Sequence, residues 1–176
     1  MSRLLGLGER FPEFSLHACV SAEPGSEFRI VDSHELEGTW TAIFFWPLDF
    51  TFVCPTELVE FNRALREFRA LAARVFGVSG DSHHAHLAWR NSEKMLQNVR
   101  FTMGADPAGA ASKLFGVYDD FSGLARRGTI IISPEGKLVS VEVSYYNMGR
   151  DATELVRRLK AITYLAKHPD EACPAK

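Results

Sequence analysis

Ile43-Phe44-Phe45-Trp46-Pro47-Leu48-Asp49-Phe50-Thr51-Phe52-Val53-Cys54-Pro55-Thr56-Glu57 decides how the chain is read. Its opening residues belong to the unbroken apolar run from Ala42 to Trp46, the pattern of a central strand covered on both faces. The stretch then passes through a short loop and opens a helix. Pro55 lacks an N–H that a first helical turn leaves unpaired anyway, and Glu57 stands where an acidic side chain can answer orphan N–H groups. Cys54 therefore lies where a helix begins, facing unpaired backbone donors and the positive end of the helix dipole, both of which favour thiolate over thiol. Thr51 adds a hydroxyl able to hydrogen-bond that sulfur or an oxygen approaching it.

Downstream, Leu58, Phe61, Leu65, Phe68 and Ala72 recur at helical spacing with Arg63, Arg66, Glu67 and Arg69 between them. This predicts one amphipathic helix of roughly five turns. Arg74 to Ser79 is a second buried-strand pattern, so strand, helix and strand form a βαβ unit with a parallel crossover. The thiol then falls at the carboxyl end of the first strand, where open α/β sheets hold their ligands. Upstream, β-prone runs at Phe14 to Val20 and Glu27 to Val31 flank the turn-rich Ala22-Glu23-Pro24-Gly25-Ser26 and predict an N-terminal hairpin.

Asp81-Ser82 starts a helix that fades near Val99, followed by a short strand at Phe101 to Met103 and a short helix from Ala108 to Phe115 closed by Gly116. Leu124 to Ser133 and Leu138 to Ser144 read as strands joined by the turn Pro134-Glu135-Gly136-Lys137. A last helix runs from Asp151 to about His168 and is stopped by Pro169. The order defines an α/β, thioredoxin-like fold with an N-terminal β-hairpin extension, read as one domain over 1–176 with 169–176 as a C-terminal tail.

Composition narrows the function. Twenty basic residues against twenty-two acidic ones leave a net charge of −2, so no basic excess recommends nucleic acid or an anionic membrane as partner. The N-terminus is charged too early for a secretory signal, and no apolar run approaches a membrane span; the chain reads as soluble and cytoplasmic. The cysteines at 19, 54 and 173 form neither a CxxC pair nor a zinc knuckle. Cys19, inside the first β-prone run, reads as a buried small hydrophobe. His83 and His86 share a helix face, but with no third ligand nearby in sequence a packing or solvated role is favoured over metal.

The block from Pro47 to Glu57 resembles the active-site signature of the typical 2-Cys peroxiredoxins, including the AhpC-like alkyl hydroperoxide reductases. The resemblance implies a thiol peroxidase reducing hydrogen peroxide and organic hydroperoxides, with no cofactor and no metal. Cys54 is then the nucleophile, and Thr51 with the backbone N–H groups of Val53 and Cys54 supplies donors along the O–O axis. The family's arginine–glycine strand motif matches Arg126-Arg127-Gly128-Thr129-Ile130-Ile131-Ile132. Spacing cannot choose between the two arginines; the resemblance points to Arg127. Pro47 matches a proline that shields the sulfur, though a plain strand terminator is equally good physics. Glu57 matches a glutamate that orients the arginine, with helix capping as the alternative.

Cys173, in Asp170-Glu171-Ala172-Cys173-Pro174-Ala175, resembles the resolving-cysteine motif, which implies a disulfide across a homodimer to the partner's Cys54. The same resemblance implies a ring of dimers, a decamer, and reduction by a thioredoxin, an AhpF-type flavoprotein or an AhpD-type dithiol partner. Phe50, Phe52, Trp46 and Trp89 read as core, with the Phe50 loop a candidate for dimer–dimer contacts by resemblance. Asp81, Ser82, His86 and Trp89 match a family segment near the pocket. With the chain stopping soon after Cys173 and no Gly-Gly-Leu-Gly insertion, fast disulfide formation and resistance to sulfinic inactivation are expected. Glu57 stands where a CxxC oxidoreductase needs its second cysteine. A reading from another class, an oligomeric redox-linked holdase chaperone, requires client protection that survives replacement of Cys54.

Overall fold

The computed structural model describes residues 5–174. Its strands are β1 (Ser15–Cys19), β2 (Phe28–Asp32), β3 (Trp40–Phe45), β4 (Ala73–Ser79), β5 (Thr102–Ala105), β6 (Tyr118–Asp119), β7 (Leu124–Ala125), β8 (Arg127–Ile132) and β9 (Leu138–Ser144). The helices are α1 (Cys54–Arg63), α2 (Leu65–Ala70), α3 (His83–Ser92), α4 (Ala110–Leu114) and α5 (Ala152–Lys167). Seven strands form one mixed sheet in the order β2-β1-β5-β4-β3-β8-β9, while β6 and β7 make a separate ribbon. The apolar run is indeed interior: β3 pairs parallel with β4 and antiparallel with β8. The hairpin of β1 and β2 joins the sheet through β5, which β1 meets antiparallel. This is the thioredoxin-like arrangement with its N-terminal extension.

Strand alternation divides the core between the two faces of the sheet. Ala42, Phe44 and Trp46 pack with Leu58, Phe61, Phe68, Trp89 and Leu159 from the helices of one face. Ile43 and Phe45 pack with Phe76, Val78, Phe115 and Ile130 on the other. Phe44 stacks on Phe61 with ring centroids 4.1 Å apart, which seats α1 directly on β3. Burial of each such side chain contributes about 1.5–3 kcal/mol, so the helix that begins at Cys54 is fixed firmly to the strand that precedes it.

Three elements differ from expectation. The helix opened at Asp81-Ser82 ends at Ser92 rather than near Val99, because Glu93 is extended and a separate single turn follows over Lys94–Leu96. The single long helix is interrupted at Ala64, where ψ is −3°, giving α1 and α2. Phe61, Ala64 and Phe68 remain buried across the break, so the burial period continues where the helix does not. Asn62 beside the break is tied elsewhere: its Nδ2 donates to Asn98 O at 3.0 Å and its Oδ1 accepts from Arg100 N at 2.8 Å. The expected strand from Leu124 to Ser133 is also divided. Arg126 N donates to Val117 O at 2.7 Å, which leaves β7 in the small ribbon and starts β8 at Arg127. Val117 packs onto the backbone of Gly128, where an added Cβ would lie 2.3 Å from Val117 Cγ1. Only glycine allows that approach.

Among the described residues, no helix is long and apolar enough to cross a membrane.

Candidate active site

Cys54 is the first residue of α1 and is 1% exposed. The helix ladder starts with Thr56 N and Glu57 N donating to Val53 O at 3.1 and 3.3 Å, so the N–H groups of Val53 and Cys54 precede it. No side chain caps this helix. Glu57 therefore does not take the capping role; its carboxylate, almost fully buried, is engaged by two arginines.

Arg127 opens β8, adjacent to β3, and its Nη1 lies 3.4 Å from Cys54 Sγ while also donating to Glu57 Oε2. Its Nε donates to Tyr146 O at 2.6 Å, which fixes the plane of the guanidinium. Burial opposes the charge on Arg127, but the Glu57 carboxylate and the Cys54 sulfur outweigh it and hold the group above the ordinary arginine pKa. Arg126 turns away to Asp119 at 3.3 Å and is largely exposed, so of the two arginines only Arg127 meets the thiol.

Sequence reasoning missed Arg150, in the segment before α5. Its backbone N and its Nε both donate to Glu57 Oε1, at 3.0 and 2.8 Å, and its Nη1 donates to Gly128 O at 2.6 Å. Its guanidinium also lies 5.6 Å from the ring centroids of Phe44 and Phe61. No local pattern marks it, because its partner Glu57 is 93 residues away in the chain. Two guanidiniums share one carboxylate, leaving one positive charge of the cluster to be balanced. Cys54 Sγ, 3.4 Å from Arg127 Nη1, is where a negative charge would be paired rather than isolated.

The loop between β3 and α1 is held by a buried network that the sequence did not disclose. Asp49 accepts from Trp46 Nε1 at 2.8 Å and lies 2.7 Å from His86 Nδ1, while His86 Nε2 is 3.1 Å from Gly104 O. Burial pushes the Asp49 carboxyl up, an effect that the hydrogen bond from His86 offsets in part. Asp49 N donates to Asp81 Oδ2 at 2.8 Å, and Ser82 caps α3 through Ala85 N at 3.1 Å. The Asp81, Ser82, His86 and Trp89 segment thus braces the loop from behind. His83 does not join His86; it stacks on His17 with ring centroids 5.0 Å apart. Among the described residues, no group of three or more histidines, cysteines and carboxylates is disposed to hold a metal.

Thr51 is half-buried, and its hydroxyl donates to Leu48 O at 3.1 Å rather than to the sulfur. Its oxygen lone pairs are what it can offer an approaching molecule. Pro47 is buried directly after Trp46, whose N still bonds Val78 O at 3.0 Å in continuation of the sheet. Trp46 and Trp89 are core, but Phe50 and Phe52 are 61% and 96% exposed. Phe50 adopts the left-handed backbone conformation at φ 56°, which turns this part of the loop outward against Trp89, with ring centroids 6.0 Å apart. Cys19 is fully buried, as expected of a small hydrophobe. Cys173 is exposed in the segment after α5, where Tyr164 donates to Glu171 Oε2 at 2.9 Å.

A thioredoxin-like sheet that presents one buried cysteine at a helix start, against a clamped guanidinium and with no second cysteine in that turn, defines a peroxiredoxin-class thiol enzyme. The model of the AhpC/TSA family matches residues 7–141, and the chain belongs to that family. It is 41% identical over 150 residues to alkyl hydroperoxide reductase C of Escherichia coli (strain K12), covering 85% of this chain and 80% of that protein. The same enzyme of Staphylococcus aureus (strain NCTC 8325 / PS 47) is 40% identical over 85% of this chain and 79% of the relative. Among solved structures, Enterococcus faecalis AhpC superposes with a TM-score of 0.91 at 37% identity, covering 97% of this chain and 100% of that one. Reduced Plasmodium vivax 2-Cys peroxiredoxin gives 0.88 at 30% identity, over 97% of this chain and 88% of its own. These are peroxide reductases, and the holdase reading is not favoured.

Proposed function

We propose that the chain reduces hydrogen peroxide and organic hydroperoxides with Cys54 as the peroxidatic nucleophile. The observation that carries this is the buried Cys54 Sγ 3.4 Å from Arg127 Nη1, on a guanidinium held by Glu57 through that same Nη1 and by Tyr146 O through Nε. The Cys54 thiolate attacks one peroxide oxygen in line; the S–O bond forms, the O–O bond breaks, and the leaving oxygen takes a proton to become water or an alcohol. Negative charge moves from sulfur to the leaving oxygen. Arg127 and the N–H groups of Val53 and Cys54 are donors suited to follow it, and preorganised donors of this kind are commonly worth about 10²–10³ in rate. Thr51 accepts from the hydroperoxide O–H, Glu57 and Arg150 keep Arg127 in place, and Pro47 keeps water from the sulfur.

The sulfenic acid at Cys54 then condenses with the thiol of Cys173 from a second copy of the chain, releasing water and forming a disulfide. The exposure of Cys173 in the segment after α5 supports this step, because an exposed segment moves readily between partners. A separate dithiol protein, whether a thioredoxin, an AhpF-type flavoprotein or an AhpD-type partner, reduces the disulfide and is itself oxidised. The working form is a single-domain chain with a resolving tail over 169–176, assembled as homodimers in a ring, a decamer. It acts in the cytoplasm, where thiols are restored to the reduced state.

The test is one equivalent of hydrogen peroxide added to reduced protein, followed by a non-reducing denaturing gel beside Cys173→Ser. A reducible dimer band in the wild type and its absence in the variant are expected. A wild type that remains monomeric would remove the intersubunit step.

A further inference from the structure

A groove of about 340 Å³ lies between the turn after β1 and the segment leading into β5, lined by Ser21, Glu23, Arg90, Asn98, Val99 and Arg100 among others, none of them from the Cys54 site. Arg90 is its unusual member. This α3 arginine is only 5% exposed, yet among the described residues no carboxylate lies within ion-pair distance of it. Nη2 donates to Val99 O at 2.7 Å, Nη1 points at Cys19 Sγ at 3.6 Å, and the buried Nε has no partner. Arg127 and Arg150, whose side chains are each 4% exposed, share Glu57.

A guanidinium cannot shed its proton, and holding one out of water without a counter-charge nearby is unfavourable. Cys19 does not supply that charge, because burial pushes its thiol up and keeps it neutral, and the Asp49 carboxyl, near enough to act on Cys19, is taken by Trp46 and His86. The groove wall is nevertheless set in advance. Asn62 fixes Asn98 and Arg100 through two hydrogen bonds, and Arg90 itself fixes Val99. Arg100 brings a second guanidinium, and Asn98 a carboxamide. Glu23 has the opposite sign but is exposed at the rim, where solvent and salt screen it.

We propose that this groove binds a phosphate group, with Arg90 and Arg100 supplying the positive charge. Forked guanidiniums suit a tetrahedral oxyanion with several acceptor oxygens, and the volume leaves room for a small organic portion. The proposal is independent of the peroxidase reading, since no residue is shared with the Cys54 site.

Isothermal calorimetry of the full chain with inorganic phosphate and with ribose 5-phosphate, against chloride at constant ionic strength, tests it. Saturable binding is expected, weakened about tenfold or more by Arg90→Gln and severalfold by Arg100→Gln. Tighter binding of the sugar phosphate would identify a phosphorylated metabolite as the ligand, and equal binding the free anion. Hydrogen exchange should show protection confined to 17–24 and 96–101. Arg100 is exposed, so Arg100→Gln and the exchange map decide the matter even if Arg90→Gln fails to fold. Absence of saturable binding, or binding unchanged in Arg100→Gln with protection around Cys54 instead, would overturn the proposal.

Discussion

Arg150 grips Glu57 twice through a single oxygen, with its backbone N at 3.0 Å and its Nε at 2.8 Å, leaving the other carboxylate oxygen to Arg127. The guanidinium that faces the thiol is thereby positioned through a carboxylate by a second arginine. Glu57→Gln leaves both arginines without their counter-charge. The second-order rate constant for peroxide is expected to fall by about 10²-fold, and the urea midpoint to drop by the equivalent of about 3 kcal/mol. Stopped-flow tryptophan fluorescence and equilibrium unfolding measure the two effects.

Arg127 and Arg150 are expected to separate. Arg127→Ala removes the charge beside the sulfur and should slow peroxide reduction by about 10²–10³-fold. Arg150→Ala retains that charge but loosens it, and a misplacement of this kind costs up to about 10²-fold. Stopped-flow tryptophan fluorescence of the two variants with hydrogen peroxide at a single pH distinguishes them, and equal rate constants would contradict the separation.

Cys19 yields a stability prediction with a definite sign. Burial raises its folded-state pKa, partly offset by Arg90. The thiol stays neutral in the folded chain while the unfolded chain ionises near pH 8.5–9, so the contribution of Cys19 is fully present below that range and is lost progressively as pH rises from there through the higher folded-state pKa. The urea midpoint of the wild type should fall more steeply above about pH 8.5 than that of Cys19→Ala. Parallel curves would contradict the assignment.

Asp49 links Trp46 to His86 inside the core, at 2.8 and 2.7 Å. Asp49→Ala leaves two buried polar groups without partners, an expected loss of about 3 kcal/mol. The backbone bond from residue 49 to Asp81 survives in the variant, but the loop loses its side-chain anchors on Trp46 and His86, so limited proteolysis near Phe50 and Phe52 should accelerate.

What could be read from the sequence was what is local. The unbroken run of Ala42 to Trp46 announced a central strand, and Cys54-Pro55 announced a helix start, because both are encoded in adjacent residues. Arg127 was reached only through resemblance, since alternation cannot tell it from Arg126; the chain resolves the pair by bonding Arg126 to Val117 and beginning the strand one residue later. Arg150 and the Asp49–His86 pair were invisible because their partners are 93 and 37 residues distant. The interruption at Ala64 was hidden by an apolar period that continues through it. The outward turn of Phe50 depends on a left-handed backbone conformation that a phenylalanine gives no reason to expect.

The most direct measurement is to trap the first oxidation product. Reduced Cys173→Ser, given one equivalent of hydrogen peroxide in the presence of dimedone, should carry the sulfenic-acid adduct at Cys54 in peptide mass spectrometry, with Cys19 unmodified. An adduct at Cys19, or rapid peroxide consumption with Cys54 unmodified, would show that the thiol clamped by Arg127 is not the one that attacks.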